Sequence, residues 1–177
     1  MIIRFISFLL SVLLVSPAIL DGSIPVGNAP SAIEENSATI EHYSFYQYKE
    51  NFEIFYDSIK EQESVIATDK RIYGVILPHH LFVGKEFARL FTFLRKQKPS
   101  VIVLIGPNHW DSGNGGIITS RESFWTPYGR VETAKDIIQQ LSQKSLIHID
   151  EAPFAKEHSI SSITPFIKKE FPSIPIV

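Results

Sequence analysis

Two tetrapeptides place an imidazole directly behind a short apolar run: Leu77-Pro78-His79-His80 and Gly106-Pro107-Asn108-His109. Neutral imidazole is a good ligand for first-row transition metals, and two histidines with one carboxylate leave coordination positions open for oxygen or a substrate. If the two apolar runs are neighbouring parallel strands, both histidines arrive at one sheet edge. Ligand sites of α/β sheets gather there, beyond the carboxyl ends of the strands. His79 and His109 are therefore candidate metal ligands, with Asp111 and Glu157 as carboxylates near them in sequence. The competing role, strand-end histidines that only bond to loop backbone, stays open on these residues alone. A third group, Glu157-His158-Ser159, follows Asp150-Glu151 and opens the last expected helix. Glu157 could act as ligand or general base and His158 as acid or base, if either reaches a substrate proton. Helix capping by Ser159 and a favourable dipole contact from Glu157 is the plainer alternative. His42 and His148 have no partner pattern and receive no role. Trp110, Phe124, Trp125 and Tyr128 could rim a pocket, but their spacing fits a core better.

The elements that must carry these groups are legible from periodicity. Phe52, Phe55, Tyr56 and Ile59 share one helical face, which predicts a helix over 49–60. Ile72 to Leu77 is a β-branched and aromatic run closed by Pro78, the signature of a buried strand. Phe87, Leu90, Phe91 and Leu94 repeat the helical spacing, and Pro99 follows their end. Val101 to Ile105 is apolar on both faces, as an interior parallel strand is. Short strands are expected at 117–119 and near Val131, around the turn Thr126-Pro127-Tyr128-Gly129. Ala134, Ile137, Ile138 and Leu141 predict another helix, 146–149 a strand, and Ile160, Ile163 and Ile167 a last helix containing Pro165. A strand begins at Ile174. Alternating elements of this kind predict an α/β fold, a mostly parallel sheet flanked by helices.

Composition bounds the partners. The 177 residues suit one domain, and 44% hydrophobic residues suffice for a core. With 17 Lys and Arg against 19 Asp and Glu, a net charge of -2 gives no electrostatic reason to expect nucleic acid or an anionic membrane. No cysteine is present, which removes disulfides and thiolate ligands and leaves His, Asp and Glu for any metal. The amino terminus follows its own grammar. Arg4 precedes an apolar run from Phe5 to Val15 and then the small residues Ser16-Pro17-Ala18, which predicts a signal peptide over 1–18. The run falls well short of the roughly 20 residues of a spanning helix. The chain is thus expected to be exported, secreted or periplasmic, or else anchored by an uncleaved amino-terminal segment. Residues 19–41, rich in Gly, Pro, Asn and Ser, read as a linker to a domain over 42–177.

The order Leu77-Pro78-His79, Val103-Leu104-Ile105-Gly106-Pro107-Asn108-His109, Thr126-Pro127-Tyr128-Gly129 and Glu157-His158-Ser159-Ile160 with Pro165-Phe166 resembles the Memo family, the AmmeMemoRadiSam system protein B group. Ser44-Phe45-Tyr46 matches the start of that family's pattern, with Gln47 in place of a proline, so the resemblance covers 44–177. It implies the fold of class III extradiol dioxygenases, in which two histidines and a carboxylate hold non-haem iron. It also implies His79 and His109 as metal ligands, Fe(II) first and copper second, with Glu157 and His158 as catalytic groups in the same pocket. The implied function is a mononuclear oxidoreductase acting on a small molecule; the alternative is a non-catalytic module binding a peptide or small ligand. Three departures stand out, one of them the export signal, which is unusual for the group. The family's Pro-His-Ala-Gly-Tyr is here Pro78-His79-His80-Leu81-Phe82, so His80 competes with His79 for the ligand role. Family members also run on through further strands to a late metal-site residue, so the sheet is expected to be incomplete at Val177.

Overall fold

The computed structural model describes residues 9–15, 41–44, 47–57 and 70–177. Of the expected leader only 9–15 falls within these, and of the expected linker only Glu41; Phe45 and Tyr46 also lie outside the described residues. Strands are β1 (Leu9–Val15), β2 (His42–Tyr43), β3 (Gly74–Pro78), β4 (Val101–Ile105), β5 (Ile118–Thr119), β6 (Phe124–Thr126), β7 (Gly129–Val131) and β8 (His148–Ile149). Helices are α1 (Glu50–Asp57), α2 (Gly84–Leu94), α3 (Lys135–Gln143) and α4 (Thr164–Glu170).

These strands make three small sheets, ordered β3-β1-β4, β2-β6-β7 and β5-β8, rather than one mostly parallel sheet. The physical reason is β1, which pairs antiparallel with β3 on one side and β4 on the other. Because both flank β1 in the opposite sense, β3 and β4 run parallel to each other and open their following loops at one edge. The shared edge expected from the sequence therefore exists, although the two strands are not hydrogen-bonded neighbours. On its other side β4 takes up the last residues: Ile102 N–H donates to the Pro175 carbonyl at 3.1 Å and Val177 N–H to that of Ile102 at 3.0 Å. Parallel pairing also joins β2 to β6 and β5 to β8.

The core lies between β4 and the helices. Phe166 of α4 is fully buried at its centre, with ring centres of Phe52, Phe55, Phe87 and Phe91 at 5.4, 5.9, 5.6 and 6.1 Å. Of the four α2 positions read from helical spacing, Phe87, Phe91 and Leu94 are buried here and Leu90 is half-buried. Helix α2 starts at Gly84, three residues before the periodic run, and a Cβ there would lie 2.6 Å from the Phe55 ring, so only glycine lets α1 pack this close. A polar clasp reinforces the same corner: Lys169 donates to both Glu53 oxygens at 2.8 Å and lies 4.0 Å over the Tyr56 ring. Tyr128, presented by the β6–β7 turn, donates to Glu53 as well, at 3.0 Å.

The last helix departs from expectation. Residues 159–163 form turns and α4 begins only at Thr164, with Pro165 in its first turn. Proline lacks the N–H that an interior helical position needs, but it costs nothing at a helix start. The aromatic set also separates: Phe124 is core, whereas Trp110 is 62% and Trp125 37% exposed.

Candidate metal centre

Each histidine of the site arrives on a different connection. His79 follows β3 immediately; His109 ends the Gly106-Pro107-Asn108 loop behind β4; His158 sits immediately before the turns that lead into α4. The β4 loop is closed by a reciprocal pair in which Asn108 Nδ2 donates to the Ser112 carbonyl at 2.8 Å and Ser112 N–H donates to Asn108 Oδ1 at 3.3 Å. Gly106 allows the third connection to approach, since a Cβ there would meet Ser159 Oγ at 2.6 Å. Ser159 in turn donates to the Pro107 carbonyl at 3.1 Å, tying the two connections together.

The three imidazoles converge. One ring nitrogen from each of His79, His109 and His158 lies within 4.8 Å of the other two. Ring centres stand 4.8 Å apart for His79 and His109, 5.3 Å for His79 and His158, and 4.5 Å for the nearly parallel His109 and His158. His80 is exposed and packs its ring 4.6 Å from that of His79. Among the described residues, the metal-competent group consists of His79, His109 and His158, without His80.

Glu157 is buried and turned onto the histidines' supports. Its Oε2 accepts the His109 N–H at 2.8 Å; its Oε1 accepts His109 Nδ1 at 2.7 Å and the Ser159 N–H at 2.8 Å. Burial alone would raise this carboxyl, but the N–H donors of Ser159 and His109 outweigh it and bring it down to about 2. Ionised Glu157 has no proton to give, so His109 Nδ1 is the donor in this bond, which leaves Nε2 as the ring nitrogen on the far side from Glu157. Carboxylate–histidine–metal relays have this arrangement, in which the outer group fixes tautomer and ring orientation. Burial, and then the neighbouring imidazoles, bring fully buried His79 down to about 4. Burial and His109 lower His158 as well. Both rings are therefore neutral at pH 7 and able to ligate.

The pair His79 and His109 expected from the two strand ends thus meets a third imidazole, His158, which the sequence offers, with Glu157, as a group that completes the metal's shell or moves protons. Asp111 is exposed and outside the group. A cleft of about 460 Å³ opens beside the histidines, walled by Asn51, Ile54 and Phe55 of α1 and by Leu81 and Phe82. Spacing assigns His42 no role, yet it is buried between Phe124 and Phe154 and meets Glu151 at 2.7 Å, a clasp across the chain rather than part of the centre.

The family profile described as Memo-like protein matches residues 44–177, most of the chain. The chain belongs to the Memo-like family. Among relatives, a MEMO1 family protein of Caldivirga maquilingensis is 34% identical over 67% of this chain and 43% of its own length. One from Methanococcus vannielii is 33% identical over 62% of this chain and 40% of its own, and one from Aquifex aeolicus 29% identical over 59% and 40%. The match thus spans about two fifths of the length of these relatives. No solved structure matches.

Proposed function

We propose that this Memo-like chain holds one redox-active first-row metal through His79, His109 and His158 and serves oxidoreductase chemistry on a small substrate in the adjoining cleft. The observation that carries it is the convergence of three imidazoles, two of them held neutral, with the Glu157 carboxylate orienting the third. Both Glu157 oxygens are engaged by N–H donors, so the donor set is three nitrogens rather than two nitrogens and a carboxylate. Three imidazoles suit copper at least as well as the Fe(II) that the family resemblance implies, since affinity rises from iron to copper. When bound, such a metal supplies one-electron and oxygen chemistry. The chain's own groups then have defined tasks: Glu157 fixes the His109 ring, Ser159 holds Glu157, and the apolar walls of Ile54, Phe55, Leu81 and Phe82 exclude water from an apolar part of the substrate. The dioxygenase-like fold of the family is part of the same reading.

The test is metal content and stoichiometry by mass spectrometry of the native full-length protein, prepared without chelator, followed by Fe(II) and Cu titration of the metal-free protein. One equivalent bound by the native chain and none by the His79→Ala His109→Ala variant is the expected result. A chain that takes up neither metal overturns the reading. A second reading rests on the cleft: a binding module for a peptide or small ligand, which retains its ligand in that same double variant.

A further inference from the structure

We infer that Leu9–Val15 serves as the central strand of the sheet that carries the two histidine loops, so that the protein bearing the assembled centre is the chain with this segment still attached. Strand β1 pairs with β3 from Leu9 opposite Pro78 to Leu13 opposite Gly74, and with β4 from Ser11 opposite Ile105 to Val15 opposite Val101. Residues 11–13 are paired on both sides. Neighbouring strands lie about 4.8 Å apart, so β3 and β4 are held roughly 10 Å apart by β1. Without it, two rows of backbone donors and acceptors would face each other across a gap too wide to bond and too costly to leave unpaired. His79 follows β3 by one residue and His109 follows β4 by four. The spacing of their loops is therefore a property of β1.

The same residues, Leu-Leu-Ser-Val-Leu-Leu-Val, are the apolar core of the segment that reads as an export leader, with Ser16-Pro17-Ala18 behind it. They carry no charge, glycine or proline, which suits an interior strand equally. A cut after Ala18 would remove the strand together with the leader, so the two fates exclude each other. Folding of the sheet commits the segment to the protein, and processing leaves an open slot between β3 and β4.

Hydrogen exchange on the full chain, read by mass spectrometry, tests this independently of the metal reading. The amides of Leu9–Val15 are expected to exchange roughly 100-fold or more slowly than in a free peptide of that sequence, as sheet amides do. Exchange at the free-peptide rate overturns the inference, as does protection that appears only with concentration-dependent dimerisation, which would make the strand a second copy's. Val12→Pro in the full chain is expected to speed exchange in Gly74–Pro78 and Val101–Ile105 while α2 amides stay protected, and Val12→Thr to leave all three unchanged. Loss of protection in α2 as well would mean that Val12→Pro has unfolded the chain, and the wild-type exchange then decides. A protected segment in a chain that binds no metal would sink the metal reading and leave this one standing.

Discussion

Glu157 is the residue on which the centre's geometry turns, because it accepts from both the ring and the backbone of His109 and from Ser159. Glu157→Gln keeps the shape but replaces one acceptor oxygen with an NH2 that cannot accept from His109 Nδ1. Metal affinity is expected to fall about 10- to 100-fold, the usual cost of losing a partner that orients a ligand; calorimetric titration of the metal-free protein checks it. A pH dependence follows from the same groups. The folded value of His79, about 4, lies below its ordinary 6.5, so on acidification the unfolded chain takes up that proton first. Glu157 at about 2 lies below its ordinary 4.5, so its contribution is present above pH 4.5 and is lost as the pH falls towards 2. Both have the same sign: the metal-free protein loses stability from about pH 6.5 downward. Urea melts at pH 7, 5.5 and 4 should show falling midpoints, and the further loss below pH 4.5 should be smaller in Glu157→Gln.

At the scale of elements, the centre exists because three connections meet within van der Waals distance, and glycines decide how closely. Gly106→Ala would drive a methyl into Ser159, whose N–H holds Glu157 and whose Oγ holds Pro107. Metal affinity is expected to drop about tenfold by the same orienting argument, with the far-ultraviolet circular dichroism unchanged. A variant that binds metal normally would show that the β4 loop and the Glu157 connection are not coupled. The β6–β7 turn is a contrasting case. Thr126-Pro127-Tyr128-Gly129 belongs to the motif set that carries the family resemblance, yet it presents Tyr128 to Glu53 and Lys169, far along the chain on α1 and α4. Its work there is to close the core.

Over the whole molecule, Phe166 links α4 to α1 and α2, and α4 directly follows the turns that come after His158. Truncating such a fully buried ring removes its contacts and leaves a cavity, so Phe166→Ala is expected to cost about 3–5 kcal/mol in urea unfolding. A cost below about 1 kcal/mol would mean that the helices do not pack around this ring. No helix among the described residues is long and apolar enough to cross a membrane.

Local pattern in the chain suffices to name the elements and the carriers of the chemistry. Periodicity locates α1, α2 and α3, because burial of one face repeats every turn and leaves its mark locally, and short unbroken apolar runs locate β3 and β4. The position of His79 and His109 behind two apolar runs is equally local. The remainder belongs to the packed molecule. That His158 completes the imidazole group and Glu157 turns to His109, 48 residues away, depends on how three loops close on one another. His42 reaches Glu151 across 109 residues, which spacing cannot encode. The isoleucine period runs through Pro165 and so places the start of α4 too early, whereas the missing N–H of proline is tolerated only in the first turn. Most plainly, a run of leucine and valine reads alike as a leader and as an interior strand, since both are apolar on every side; only the pairing partners that the fold supplies tell them apart.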